Sequence, residues 1–260
     1  MKIEAVITCV DYGDFLAETL PHNRVLFDRA VVVTAPEDKA TRRVCEYWNV
    51  QCIPTDAFET RWGKFRKGCG INVGLAALAK DGWVLHMDAD ILCPPLTRSL
   101  LQQAELDPTQ LYGFDRHICK GSDAWRSFLA MPQLQHESGA YIHLDKFPLG
   151  TRVMQGNARG YVPIGFAQLW QPGASGVATY PEQHDTAGRG DVLFAMKWPR
   201  AKRALIPEVV MYHLESVDSA IAANWSGRTT ARFGVAGEQR PAVAAARRAS
   251  DPASEESYLG

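Results

Sequence analysis

Short apolar runs separated by polar, helix-compatible segments set the pattern of the first hundred positions. Runs at 3–10 (Ile-Glu-Ala-Val-Ile-Thr-Cys-Val), 30–34 (Ala-Val-Val-Val-Thr), 50–53 and 83–87 (Trp-Val-Leu-His-Met) are bounded by breakers such as Pro36 and Asp81-Gly82. Near-continuous apolar strands are what a parallel sheet covered on both faces requires. Between them, Asp11-Tyr12-Gly13 reads as a turn with Asp14 able to cap a helix. Asp38 precedes a helical segment reaching Trp48, and a further helix is expected over about 71–80. Strand and helix in strict alternation predict right-handed crossovers and a parallel sheet of the nucleotide-binding type.

After Asp90 the alternation weakens. Positions 96–103 read as helix, 111–114 as a short strand, and 120–160 as irregular, with scattered glycine and proline. A strand is expected at 165–170, a helix at 191–198 and a late strand at 205–214, ending in Tyr212-His213. From about 238 the chain turns to Ala, Arg, Ser and Glu without periodicity, which predicts a partly disordered tail.

Composition narrows the class without naming a function. A chain of 260 residues, 46% hydrophobic and 22% charged, suits one α/β domain, and a net charge of −1 gives no general pull toward polyanions. The basic residues Lys197, Arg200, Lys202, Arg203, Arg228 and Arg232 would permit a phosphate-bearing acceptor, although a solvated surface is the simpler reading. Six cysteines show no C-x-x-C spacing, which predicts buried free thiols. Charge enters too early in Met1-Lys2-Ile3-Glu4 for a signal-peptide core, and no apolar run approaches membrane-spanning length, so a cytoplasmic protein without a transmembrane segment is expected.

Candidate chemistry gathers where strands end. Asp88-Ala89-Asp90 follows the 83–87 run, and in extended backbone residues two apart point the same way, so both carboxylates can face one cation. The competing reading is a solvated turn. Thr8, Asp11, Thr34 and Asp38 also fall at strand ends, where they could bind a nucleobase and ribose or merely cap, Asp38 most simply as a helix N-cap. Arg61, Lys64, Arg66 and Lys67 precede Gly68, and Lys67, nearest the helix start, is the best placed for a diphosphate; a solvated loop is the alternative. Gly68-Cys69-Gly70 with Gly74 lacks the spacing and the preceding strand of a dinucleotide fingerprint.

These stretches, in this order, resemble GT-A fold glycosyltransferases, particularly the family-2-like group. Thr8-Cys9-Val10-Asp11 looks like the loop holding the base, and Thr34-Ala35-Pro36-Glu37-Asp38 like its complement. Lys67-Gly68 with Asn72 is similar to the stretch before the metal motif, which Asp88-Ala89-Asp90 matches. The resemblance implies a Rossmann-like, mixed, mainly parallel sheet flanked by helices. It implies one domain over 1–235, with a nucleotide-sugar half at 1–95 and an acceptor half at 96–235, and a tail at 236–260. It further implies Thr8, Asp11, Thr34, Asp38, Lys67, Asn72 and Asp88 at the donor, and Gln168 and Trp170 at the acceptor. Manganese or magnesium would be held by Asp88, Asp90 and the late His213, itself otherwise an ordinary structural histidine. The catalytic base would be Asp191 or Asp185, with His184 a third candidate. The implied activity is hexosyl transfer from a nucleoside diphosphate sugar, of the UDP type, to an acceptor hydroxyl with inversion; saccharide, lipid, protein and modified DNA base are all open as acceptor. Sugar-phosphate nucleotidyl transfer, or nucleotide and glycan binding without catalysis, are the competing functions.

Overall fold

Ile3–Thr8 forms β1, buried along its whole length because each face meets its own core. Ile3, Ala5 and Ile7 join Val32, Leu85 and Met87 on one side, while Val6 joins Val31, Val33 and Val84 on the other. An apolar side chain so enclosed contributes about 1.5–3 kcal/mol relative to exposure; of the two polar residues in the strand, Glu4 is satisfied by the Ala79 and Lys80 amides and Thr8 donates to Asp88. The computed structural model describes residues 1–59, 65–129, 161–220 and 223–234.

In chain order β1 is followed by α1 (Gly13–Asn23), β2 (Arg29–Thr34), α2 (Lys39–Tyr47), β3 (Gln51–Pro54), α3 (Lys67–Ala76), β4 (Trp83–Asp88) and β5 (Ile91–Leu92). The second half adds α4 (Thr97–Gln103), β6 (Leu111–Lys120), α5 (Ser122–Leu129), β7 (Ala167–Trp170), α6 (Pro172–Ser175), α7 (Gly190–Ala195) and β8 (Arg203–Glu215). Among the described residues the strands form one eight-stranded sheet in the order β3-β2-β1-β4-β7-β6-β8-β5. Pairings β1–β2, β1–β4, β2–β3 and β6–β8 are parallel, and those of β4–β7, β6–β7 and β5–β8 antiparallel. That is the mixed, mainly parallel α/β sheet expected. Leu16 and Leu20 of α1 cover one face; Ile71 and Leu75 of α3 and Phe194 of α7 cover the other.

Several local expectations are corrected. Helix α3 begins at Lys67 rather than near 71, because its glycines are contact points and not breakers: a Cβ at Gly70 would stand 2.0 Å from the Phe58 ring, and one at Gly74 2.5 Å from Val6. Strand β6 runs to Lys120 instead of stopping at 114, and α5 occupies part of the stretch expected to be irregular. Asp14 does not cap α1. Its N-cap is Tyr12 without a side-chain bond, and the Asp14 carboxylate accepts from Arg228 and from the Phe233 amide instead. Asp38 does cap α2, accepting from Thr41 N at 3.0 Å. All six cysteines are free, five buried and Cys52 half-buried. The tail after 235, the stretch 130–160, and Arg61 and Lys64 of the basic run lie outside the described residues. No helix among the described residues is long and apolar enough to cross a membrane.

Candidate metal and donor site

Asp88 is the last residue of β4, and the two-residue strand β5 starts just beyond Asp90. Because β5 pairs antiparallel with β8, Ile91 opposes His213, and Leu214 N donates to Asp90 O at 2.8 Å. The result brings His213 Nε2 to 3.3 Å from Asp90 Oδ2. Helix α1 holds the turn from behind. Thr19 donates to Ala89 O at 2.7 Å, while Asn23 donates to Ile91 O at 2.7 Å and accepts from Cys93 N at 2.8 Å. Buried polar side chains satisfied so completely fix the loop rather than decorate it.

The two carboxylates have different surroundings. Asp88 Oδ1 takes Lys67 Nζ at 2.5 Å and the Thr8 hydroxyl at 3.3 Å. Burial raises its pKa, with Asp90 adding in the same sense and Lys67 opposing; a side chain still 29% exposed feels this less than an enclosed one. At Asp90 burial also pushes upward, but the His213 ring and Lys67 outweigh it and hold the carboxyl below its usual range. Asp90 Oδ1 is buried with no hydrogen-bond partner. Among the described residues no three His, Cys, Asp or Glu side chains converge as a ready metal cage. What exists is a carboxylate and an imidazole in contact, with an orphaned oxygen and a second carboxylate beside them. That donor set fits a divalent ion that takes its other ligands from phosphate and water, as manganese and magnesium do. His86, by contrast, is fully enclosed, with no hydrogen-bond partner on either ring nitrogen and Asp88 Oδ1 4.0 Å from Nε2, and burial holds its pKa well below the ordinary value, so it is a neutral core residue.

The loop after β1 is shaped by Asp38, whose Oδ2 accepts from Asp11 N at 2.8 Å, Thr34 Oγ1 at 3.2 Å and Thr41 Oγ1 at 2.7 Å. Asp11 itself is in the left-handed region at φ 60, a conformation that aspartate tolerates better than most residues. Thr34 and Asp38 are therefore buried supports beneath the loop and Thr8 is buried beside Asp88, whereas Asp11 is exposed. Asn72 is likewise occupied, clamping residues 180–182 through Tyr180 N, Tyr180 O and Glu182 Oε1.

On the acceptor side the reading of Gln168 and Trp170 is corrected. Both are fully buried: Trp170 Nε1 donates to Val177 O at 2.9 Å within the core, and Gln168 is bound by Pro163 O and the Tyr180 hydroxyl. A side chain with no exposed surface cannot stack on a sugar. Asp191 lies in the first turn of α7, with Oδ2 accepting from Gly165 N and Oδ1 from Val192 N, both at 2.8 Å. Asp185 lies within electrostatic reach of Cys69 at the start of α3, and His184 Nε2 is buried without a partner. A cleft of about 520 Å³ between α3, residues 179–183 and α7 includes Asn72 and Lys197 in its wall, but not Asp88, Asp90 or His213. Of the basic residues, Lys197 binds Thr179 O, Lys202 pairs with Asp107, and Arg228 is committed to Asp14. Thr19, Asn23 and Arg116 carry no local signal in the sequence, and Phe166 stands in it only as one residue of the 165–170 stretch. Phe166 links the end of β4 to β8, its carbonyl accepting from Asp88 N at 3.0 Å and its ring stacking on His213.

No protein-family model matches the sequence, and no curated protein matches it. Solved structures do show likeness. A glucosyl-3-phosphoglycerate synthase from Mycobacterium tuberculosis, in complex with Mn2+, uridine diphosphate and glucosyl-3-phosphoglycerate, is 16% identical with a TM-score of 0.48, covering 82% of this chain and 71% of that one. A mannosyl-3-phosphoglycerate synthase from Rubrobacter xylanophilus is 18% identical with a TM-score of 0.37, covering 46% of this chain and 41% of that one. An inositol-1-phosphate CTP transferase from T. maritima is 12% identical with a TM-score of 0.45, covering 82% and 89%. At such identities and scores the likeness assigns no activity to this chain.

Proposed function

We propose that the protein transfers a sugar from a uridine diphosphate sugar to an acceptor hydroxyl, with inversion, in a reaction that depends on manganese or magnesium. The observation that carries this reading is the Asp90–His213 contact of 3.3 Å at the carboxyl edge of the sheet, with Asp90 Oδ1 left buried and unpartnered. Asp90 and His213 would hold the ion, with Asp88 beside them. When bound, the ion would supply Lewis-acid stabilisation of the departing diphosphate. Lys67, at the first position of α3, adds a positive charge and a helix N-terminus to the same place. Asp11, whose amide Asp38 holds, and Thr8, which donates to Asp88, would line the nucleoside side.

Inverting transfer also needs a base that takes the acceptor proton as the hydroxyl attacks the anomeric carbon. Asp191 is the proposed base, with Asp185 and His184 as rivals. Each Asp191 oxygen holds one backbone N–H and keeps a further lone pair, so the carboxylate is oriented without being saturated.

Calorimetric titration of manganese and UDP into wild type, Asp90→Asn and His213→Ala tests the site. Metal-dependent UDP affinity is expected to fall about tenfold or more in both variants, with the fold retained by circular dichroism. Wild-type affinity in both would overturn the reading. Manganese-dependent hydrolysis of a UDP-sugar separates a transferase from a protein that only binds the nucleotide.

A further inference from the structure

Beyond β7, strand β6 passes a register shift at Phe114/Asp115, where β8 carries the extra residues Pro207, Glu208 and Val209. Proline has no N–H to give the ladder, so the shift falls where β8 cannot pair. Past it, Ile118 lies against His213 and Lys120 against Glu215, and alternation puts Arg116 on the same half-exposed face. The Arg116 guanidinium lies 4.6 Å from the centre of the Phe166 ring, and that ring is stacked on His213 with centroids 6.5 Å apart. One aromatic side chain therefore joins Arg116 to the Asp90–His213 pair.

Arg116 forms no ion pair or hydrogen bond among the described residues, and its Nε is buried without a partner. Neighbouring charges are otherwise engaged. Lys120 Nζ donates to Ser219 O at 3.0 Å, and Glu215 lies 3.8 Å from His213 Nδ1. Burial lowers the Arg116 pKa, partly offset by Glu215, Asp90 and Asp88, yet a guanidinium remains charged in any such setting. Were Arg116 only a counter-ion to these carboxylates, it would sit in contact with one of them. Instead its guanidinium lies over the Phe166 ring with the donor fork left open. An unpaired, half-buried arginine is costly unless an anion completes it, and the fork matches carboxylate or phosphate.

Strand β6 stands on the side of β4 away from β1 and β2, so an anion at Arg116 would not belong to the nucleoside. We infer that Arg116 receives a carboxylate or phosphate carried by the transferred sugar or by the acceptor, bound across the Asp90–His213 pair from the nucleotide. This rests on the proposed transferase reading and names the class of its substrates.

The test is calorimetric, on the full chain. Inorganic phosphate is titrated into protein preloaded with UDP and manganese, using wild type, Arg116→Gln and Arg116→Lys. One phosphate is expected to bind wild type, about tenfold or more weakly to Arg116→Gln, and with intermediate affinity to Arg116→Lys, whose point charge lacks the fork. UDP–manganese affinity of Arg116→Gln should stay within about twofold, and its melting temperature should not fall, because an unpaired charge has been removed. Phosphate binding that persists with UDP-glucose loaded assigns the anion to the acceptor; a loss in Arg116→Gln confined to UDP-glucuronate assigns it to the donor sugar. The inference is overturned if wild type takes up neither phosphate nor glucuronate selectively, if Arg116→Gln binds them as wild type does, or if it loses UDP in equal measure, which would put Arg116 on the diphosphate. Arg116-dependent phosphate binding with no UDP–manganese binding in wild type would sustain the anion site while removing the transferase reading.

Discussion

Removing Arg228 should destabilise this protein more than removing any exposed arginine, because Arg228 ties the segment after β8 to the start of α1. Its guanidinium binds both Asp14 oxygens at 2.5 and 2.8 Å, the Asp11 carbonyl at 2.7 Å and the Ala231 carbonyl at 2.6 Å. It also lies over the rings of Tyr12 and Phe15 at 4.8 and 5.0 Å. Truncating one member of a buried pair costs about 3–5 kcal/mol. With side chains 4% and 22% exposed, Arg228 and Asp14 fall toward the lower end, so about 3 kcal/mol is expected for Arg228→Ala. For a domain of this size that is roughly 6–12 °C in melting temperature. Urea unfolding at unchanged m-value measures it, and a double-mutant cycle with Asp14→Ala should return a coupling of about 1–3 kcal/mol. Arg126→Ala is the control, since Arg126 and Asp123 are 67% and 96% exposed and their pair should be worth at most about 0.5 kcal/mol. If Arg228→Ala is no more harmful than Arg126→Ala, the clamp does not exist in solution. Because Arg228 holds the Asp11 carbonyl, its loss should also weaken UDP binding in the surviving fold.

Gly70→Ala should lose about 1–3 kcal/mol by overpacking against the enclosed Phe58 ring, exceeding the 0.5–1 kcal/mol or so that alanine adds to a helix; a neutral result in urea would mean that the ring moves aside freely. Asp191→Asn should cut kcat severely while UDP affinity holds; normal turnover in a less stable protein would leave Asp191 only its tie to Gly165 N. For His86 the folded pKa lies below the unfolded one, so the stability associated with its neutral ring is complete above about pH 6.5 and declines as acid protonates the unfolded chain first. His86→Leu should flatten the fall in unfolding free energy between roughly pH 6.5 and 5, and an unchanged slope would show that the enclosed ring takes up its proton in the fold.

Strands β1, β2 and β4 are legible in the sequence because burial on both faces demands mostly apolar side chains in a short run, and a requirement of that kind is written locally even where Glu4 and His86 interrupt it. The far half of β6 is not. There Asp115, His117 and Cys119 turn inward and Arg116, Ile118 and Lys120 outward, a mixture of types that resembles no single face of a sheet. The same limit explains the candidate site. Asp88 and Asp90 stand out because a strand end and a two-residue spacing are local features, and Asp38 could be read equally as cap or ligand because the residue types for both are the same. Trp170 and Gln168 have side chains that serve core and surface alike, and only Val177 O and the Tyr180 hydroxyl decide between them. His213 is marked in the sequence only by resemblance. What puts it at Asp90 is a strand of two residues and a register shift beside Pro207, neither of which has a period to detect. Arg228 and Asp14 meet across 214 positions, and each alone looks like a surface charge. Arg116 is the extreme case. A single arginine at an outward strand position is indistinguishable in sequence from a solvated one, and its meaning comes from the absence of a partner, which only a folded surrounding can define.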